Sequence, residues 1–417
     1  MKILFITYDF DPDYNSNFFI IHNLSQAFIH MGHEVHVLPL KPDFDAEAEE
    51  VWQNINIHKI TDTYDKRQVF QYLLQFKLLS ALHLAFSILR DRSNHKDYLK
   101  KYWCYFPFKR LRKVIKQHGI DTVINVCDPF EGCQPVMRYL KKYLKKFHWL
   151  IYMQTPFAAN AYYLDRYQKS DLVDFQTKAM GMADKIVGTA SIINELKQDN
   201  DLIPHDKYQT LNYPVIVQPQ RSYQDDNIPM NRHYINCVYV GQLGKVMENP
   251  EILFQMFRKL KKDCIRLHII GEDIDTWREY LPERNSNIFF YGAKSPEAAK
   301  NAKLNANILI HICDNTDHQL PRMLLDNISM GKPIINWYNS EECPVIEYLS
   351  KYPYSFIIKE SRINQKTVRK LRFFCTRYRK ININYPYIEN KFYDYTVDYV
   401  SKEFLKLCEN PDDTINY

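Results

Sequence analysis

The stretch KILFITYDFDPDYNSNFFIIHNLSQAFIHMGHEVHVL, residues 2–38, decides the fold. Its opening residues Ile3–Ile6 are an unbroken apolar run of the kind buried on both faces of a parallel sheet. After a loop, Phe19, Leu24, Ala27 and Phe28 recur at helical spacing, and Gly32 stands where a helix C-cap falls. HEVHVLPL then reads as a second strand, which completes a βαβ unit. The loop between strand and helix carries Asp9, Asp11 and Asp13 and no glycine. As a calcium loop it fails, because Tyr14 stands where glycine is needed and Ile20 where a bidentate glutamate is needed. A dinucleotide fingerprint fails for want of GxGxxG. A DxD metal site, an Asx-rich turn capping the helix at Ser16 or Asn17, and a modified phosphate-approaching turn remain.

The same alternation runs outward from this stretch. IDTVINVCD, HWLIYMQT and ADKIVG read as further strands, with helices in EGCQPVMRYLKKYLKKF and SIINELKQ. Residues 213–234, rich in Pro, Asn, Asp and Gln, read as a linker. A second series then begins with INCVYVGQLG and continues through IRLHIIGE, NIFFYGAK, ILIHIC and KPIINW. At 417 residues, two such halves fit the size at which single cores stop growing, roughly 250–300 residues. The expected fold is α/β, with two Rossmann-like domains facing a cleft. The expected boundaries are 1–215 for the first domain with a basic helical insertion, 216–234 for the linker and 235–385 for the second domain. The remaining segment, 386–417, is expected to cross back to the first domain as a helix.

Composition narrows the function. Nine cysteines without a CxxC pair argue against a zinc ribbon or a disulfide framework, and read as reduced, mostly core thiols of a cytoplasmic protein. No apolar run has the length of a signal peptide or a membrane span. Between Lys66 and Lys146 there are 18 Lys and Arg against 5 Asp and Glu, so the rest of a chain of net charge +6 is acidic overall. Within residues 98–147, two helical patterns alternate apolar and basic stripes; Met137, Leu140, Leu144 and Phe147 form one apolar stripe. Such helices either pack inward and face water or dock on an anionic membrane surface. Nucleic-acid recognition motifs are lacking.

The opening stretch resembles the start of GT-B glycosyltransferases, most like family 4. Pro12, Asp13 and Gly32-His33-Glu34-Val35 match the family pattern, while its Gly-Gly falls on Asn15 and Ser16. A stronger likeness is CDNTDHQLPRMLLDNISMGKPIINW, residues 313–337, which resembles the donor-binding motif that ends in Gly-Lys-Pro. The resemblance implies that Asp326 accepts hydrogen bonds from a ribose and that Arg322 grips diphosphate. His318 stands where the family has a first glutamate, with Leu320 and Met323 beside the site. Chemistry alone leaves a second reading, an i,i+4 surface pair of Arg322 with Asp326.

Gly241 matches the family's diphosphate-facing glycine. Glu248 replaces its usual cation, which leaves Lys245 as the stand-in. Tyr291 and Gly292 match the segment that reads the base. Cys127 stands where relatives often have histidine near the sugar, and Asp128 follows as either an orienting group or a plain loop residue. Residues 46–110 match nothing in the family pattern.

By resemblance, the chain is expected to move a sugar with retention from a nucleotide-sugar donor, without obligatory metal. The expected acceptor is a glycan or lipid-linked glycan in cell-surface polysaccharide synthesis, with peripheral association at the inner membrane face. No protein metal site is expected. The four departures, at Asn15-Ser16, Cys127, Glu248 and His318, favour an alternative: a non-catalytic GT-B subunit that binds acceptor or a partner protein.

Overall fold

The computed structural model describes residues 1–11, 16–41, 43, 46–61, 105–127, 130–144, 147–155, 157–158, 164, 168–199, 202–221, 228–241, 243, 251–271, 286–313, 322–338, 345–359 and 364–409. Two compact units emerge, one of Met1–Tyr213 with Val400–Tyr417, the other of Pro214–Tyr399.

The first unit is built on eight strands: β1 (Lys2–Thr7), β2 (Glu34–Pro39), β3 (Glu49–Trp52), β4 (Ile55–His58), β5 (Thr122–Cys127), β6 (His148–Met153), β7 (Lys185–Gly188) and β8 (Tyr208–Thr210). Their order is β3-β4-β2-β1-β5-β6-β7-β8, parallel except for the β3–β4 hairpin. The strands read as apolar runs because both faces are covered: Ile3, Leu4, Phe5 and Ile6 are wholly buried. Helix α1 (Ser16–His30) returns the chain to β2 through Gly32 at φ +85, a conformation glycine adopts without strain. Asn17 lies inside this helix, wholly buried, so it is not the cap.

The β3–β4 hairpin lies in the stretch that no family pattern covers. Its turn uses Gln53 and Asn54 at φ 50 and 64, the paired positive φ values that suit a two-residue hairpin loop. Helix α2 (Tyr105–His118) buries Phe108, Leu111, Val114 and Ile115 on the sheet and turns Lys109, Arg112, Lys113 and Lys116 outward. Helix α3 (Gln134–Lys142) packs beside it. The apolar stripe predicted to run on through Leu144 and Phe147 stops short, for α3 ends at Lys142 and Tyr143 is extended. The chain must straighten there to enter β6 at His148. Leu144 is left 87% exposed, while Phe147 reaches the core against Tyr139 at 5.5 Å.

Helices α4 (Lys169–Met182) and α5 (Ala190–Asp199) complete the unit, together with the end of the C-terminal helix, Val397–Cys408. In that helix Phe404 packs on Tyr152 at 5.1 Å and on Phe28 at 6.4 Å.

The second unit has six parallel strands: β9 (Ile235–Val240), β10 (Ile265–Ile270), β11 (Ile288–Phe290), β12 (Ile308–Ile312), β13 (Ile334–Tyr338) and β14 (Ser355–Lys359). They lie in the order β11-β10-β9-β12-β13-β14. Helices α6 (Glu251–Lys259), α7 (Pro296–Asn305), α8 (Arg322–Ser329), α9 (Val345–Ser350), α10 (Gln365–Tyr378) and α11 (Tyr385–Lys391) connect and follow them. Chain reversal occurs where β10 and β12 flank β9, the switch point at which open α/β sheets bind ligands. The return to the first unit falls at Val400; residues 386–399 stay with the second, where Val215 and Ile216 donate to the Tyr395 carbonyl.

Six described cysteines are free, but Cys313 at the end of β12 is disulfide-bonded, against the expectation of reduced thiols. No described helix is long and apolar enough to cross a membrane.

Candidate active site

The second unit assembles the donor-side candidates at its switch point. The chain leaves β9 through Gly241, held at φ +147 by its N–H donating to the Ile270 carbonyl at 2.9 Å. An added Cβ would lie 2.8 Å from the Tyr239 hydroxyl and 3.0 Å from Met323 Cε, so only glycine fits without displacement. Met323 is the second residue of α8, so two motifs more than 80 residues apart in sequence meet here. The first turn of α8 leaves backbone N–H groups without intrahelical partners, and its dipole favours an anion.

One turn into α8, the Asp326 carboxylate meets a lysine from the neighbouring helix α7. Its Oδ2 accepts from Lys303 Nζ of α7 at 2.6 Å. The lysine side chain is 7% exposed and the aspartate 46%, so a buried cation grips a carboxylate that still has an open side. The contact leaves Asp326 with surface to offer a ligand. Lys303 was invisible as a site residue because it reads as one more lysine in PEAAKNAKLN.

Tyr291, just past β11, is fixed by a line of hydrogen bonds across three strands. Its hydroxyl meets His268 Nδ1 at 2.8 Å, and His268 Nε2 meets Asn236 Oδ1 at 2.9 Å. The Asn236 amide nitrogen donates to the Asn231 and Tyr234 carbonyls, so its oxygen is the acceptor for His268. Nε2 therefore carries the proton, and Nδ1 accepts from the tyrosine. Burial, then the Arg266 charge, lower the His268 pKa to about 4, which keeps the ring neutral. Gly292 follows at φ 68, its carbonyl accepting from the Gly271 N–H at 3.0 Å.

The Gly-Lys-Pro turn also has a local cause. Gly331 sits at φ +69 against the Ile383 backbone, whose N–H donates to the Gly331 carbonyl at 2.7 Å, and a Cβ there would collide with the Ile383 carbonyl oxygen.

In the first unit, Cys127 lies in the core at the end of β5. It is 2% exposed, with its Sγ 3.4 Å from that of Cys133, and packs in the core. Asn15, Asp128, Lys245, His318 and Leu320 lie outside the described residues, as do the side chains of Ser16 and Arg322.

Beyond the ends of β1 and β2 lies a cavity of about 520 Å³ that sequence reading missed. Its walls include Asp9 and Asp11 of the opening loop, Lys41 after β2, and Glu50, Trp52 and Lys59 around the hairpin. Trp52, Phe10 and Phe18 form an aromatic corner, with ring centroids 4.9 to 6.2 Å apart. Charges line its rim in pairs, Lys41 with Asp9 at 2.6 Å and Lys59 with Glu50 at 2.8 Å. In the sequence the alternate acids of the opening loop are the one signal of it, and they point to metal or phosphate rather than to a neutral ligand.

The two units have the GT-B architecture, the fold of a class of nucleotide-sugar glycosyltransferases. No family model and no curated protein sequence matches the chain. Solved structures match it end to end. WaaG, a glycosyltransferase involved in lipopolysaccharide biosynthesis, has a TM-score of 0.56 at 12% identity, covering 98% of this chain and 100% of its own. The lipopolysaccharide outer core galactosyltransferase WaaB has a TM-score of 0.54 at 15% identity, covering 97% and 98%. A UDP-N-acetylglucosamine 2-epimerase assigned in Listeria monocytogenes has a TM-score of 0.60 at 11% identity, covering 100% and 97%. At these identities the likeness is one of fold.

Proposed function

We propose that the chain is a glycosyltransferase that moves a sugar from a nucleotide-sugar donor to a glycan or lipid-linked acceptor, with retention and without obligatory metal. The observation that carries this reading is the meeting of Gly241 with the start of α8, one turn before the half-exposed carboxylate of Asp326. A diphosphate fits the N–H groups at the helix start, with Arg322 beside it by sequence position. Asp326 suits ribose hydroxyls, and the backbone around Tyr291 and Gly292 suits the base. The protein then contributes positioning and stabilisation of leaving-group charge rather than a nucleophile.

The cavity at Trp52 suits the acceptor. Aromatic faces pack on sugar rings while paired carboxylates and ammonium groups bond hydroxyls. Work on a cell-surface polysaccharide at the inner membrane face fits a basic α2 and α3, whose cations face outward.

Calorimetric titration with UDP, GDP, ADP and CMP, with and without EDTA, tests the reading. Saturable, EDTA-insensitive binding of one nucleotide, weakened in a folded Arg322→Ala variant, is expected. Binding of none refutes it. In that event the non-catalytic subunit that binds acceptor or partner is favoured, a reading with which the burial of Cys127 is consistent.

A further inference from the structure

Three histidines stand together in the core of the first unit, where apolar residues would be expected. On β2, His36 shares a face with Leu38, and on β4 His58 shares one with Ile60; both Leu38 and Ile60 belong to the core layer under α2. His118 closes the last turn of α2 against them. The ring centroids are 5.1 Å apart for His36 and His58, 4.8 Å for His36 and His118, and 4.9 Å for His58 and His118. One nitrogen from each ring lies within 4.8 Å of the other two.

The outer nitrogens are taken by carboxylates. His36 Nε2 meets Glu34 Oε1 at 3.0 Å, and His58 Nδ1 meets Glu49 Oε2. Both carboxylates are themselves paired with cations, Glu34 with Lys2 at 3.1 Å and Glu49 with Arg110 at 2.8 Å. Pairing of that kind favours the ionised, acceptor-only form, so each histidine must donate its outer N–H. In the neutral rings that leaves His36 Nδ1 and His58 Nε2 as two lone pairs facing each other at 2.9 Å. Nearby, His118 Nε2 is buried with no hydrogen-bond partner. Two facing acceptors, beside a third ring nitrogen that has no partner, call for a cation among them. A shared proton would serve only two of the three and would place an imidazolium in the core.

We propose that His36, His58 and His118 bind one divalent transition-metal ion, Zn²⁺ by ligand type, through His36 Nδ1, His58 Nε2 and His118 Nε2. Three neutral imidazoles with carboxylates behind two of them are the ligand and supporting set of a zinc site with a fourth position open to water. Tetrahedral Zn–N bonds of about 2.05 Å separate ligand nitrogens by about 3.3 Å, between the 2.9 Å and 4.8 Å seen here. Small ring shifts therefore close the site. The ion ties the hairpin and the end of α2 to the sheet. Through His58 it fixes β4 from behind, while Ile57 and Lys59 on either side line the cavity with Trp52. This proposal is independent of the glycosyltransferase reading.

The test is Zn²⁺ binding to the full chain after chelator treatment, by elemental analysis and by competition with a chromogenic chelator. One ion per chain is expected, with a Kd of about 1 μM or tighter. His118→Phe should lose the ion, and Glu49→Gln should weaken it roughly 10–100-fold. Co²⁺ loaded into the unaltered protein provides a readout that needs no variant, with visible bands of a four- or five-coordinate site expected. The chain has 14 histidines, so stoichiometry matters. No tight Zn²⁺ uptake, one full equivalent retained by a folded His118→Phe, or a six-coordinate Co²⁺ spectrum would each overturn the proposal.

Discussion

Removing either member of the Lys303–Asp326 pair breaks the same 2.6 Å contact, yet the two losses should differ widely. The Lys303 side chain is 7% exposed and that of Asp326 is 46% exposed. Lys303→Met takes away a buried charge and leaves a carboxylate that water can reach, so about 0–1 kcal/mol should be lost. Asp326→Ala strands an ammonium group in the interior, for which about 3–5 kcal/mol is typical. The double variant removes the stranded charge as well, and should be more stable than Asp326→Ala alone. Urea unfolding of the four proteins measures each value, provided the slopes stay equal. Equal losses in the two single variants, or a double variant no better than Asp326→Ala, would refute the asymmetry of burial. Nucleotide titration of Lys303→Met adds a functional arm. If the lysine orients the carboxylate toward a ribose, affinity should fall while stability barely moves.

Two further outcomes follow from local geometry. Gly331→Ala should lower stability by at least about 2 kcal/mol, since positive φ and a backbone collision with Ile383 act together, whereas Gly32→Ala, with nothing within 4 Å, should cost only about 1 kcal/mol; equal shifts in thermal midpoint would remove the collision from the account. His268 and His311 are both buried neutral, with pKa values lowered to about 4 from 6.5, chiefly by burial. The unfolded chain then binds protons that the native state refuses, so this stability is complete above pH 6.5 and drains as pH falls toward 4. By pH 5 about 2 kcal/mol should be gone for each ring, and a urea midpoint unchanged between pH 7.5 and 5 would contradict it.

The parallel strands were legible because burial on both faces writes them as runs rich in apolar residues, as in KILFIT and INCVYV. Gly32, Gly241 and Gly331 were legible because each stands at a turn out of a strand or helix, where φ is positive, in a chain with only 10 glycines. The β3 strand was not, for EEVW is mostly exposed at a sheet edge and its turn contains no glycine. Periodicity misled at Leu144, since apolar spacing cannot register that the chain must straighten to reach β6. Lys303 and Trp52 escaped for a shared reason. Each becomes a site residue only through partners far away in sequence, Asp326 in one case and Phe10 and Phe18 in the other.

The histidine triad has the same origin and sharpens the point. His36, His58 and His118 have no motif spacing, and only the parallel pairing of β2 with β4 and the return of α2 bring them together. Two of the elements involved, β4 and α2, draw on residues 46–118, nearly the stretch where the family pattern falls silent. The same hairpin supplies Glu50, Trp52 and Lys59 to the cavity. Structures that share the fold at 11–15% identity include proteins described as transferases and as an epimerase, so the shared sheets do not choose a substrate. The β3–β4 hairpin has one face closing a cavity and the other carrying a histidine toward two more. A ligand held on its inner face would therefore be felt at its outer one, and substrate choice should be sought there rather than in the sheets.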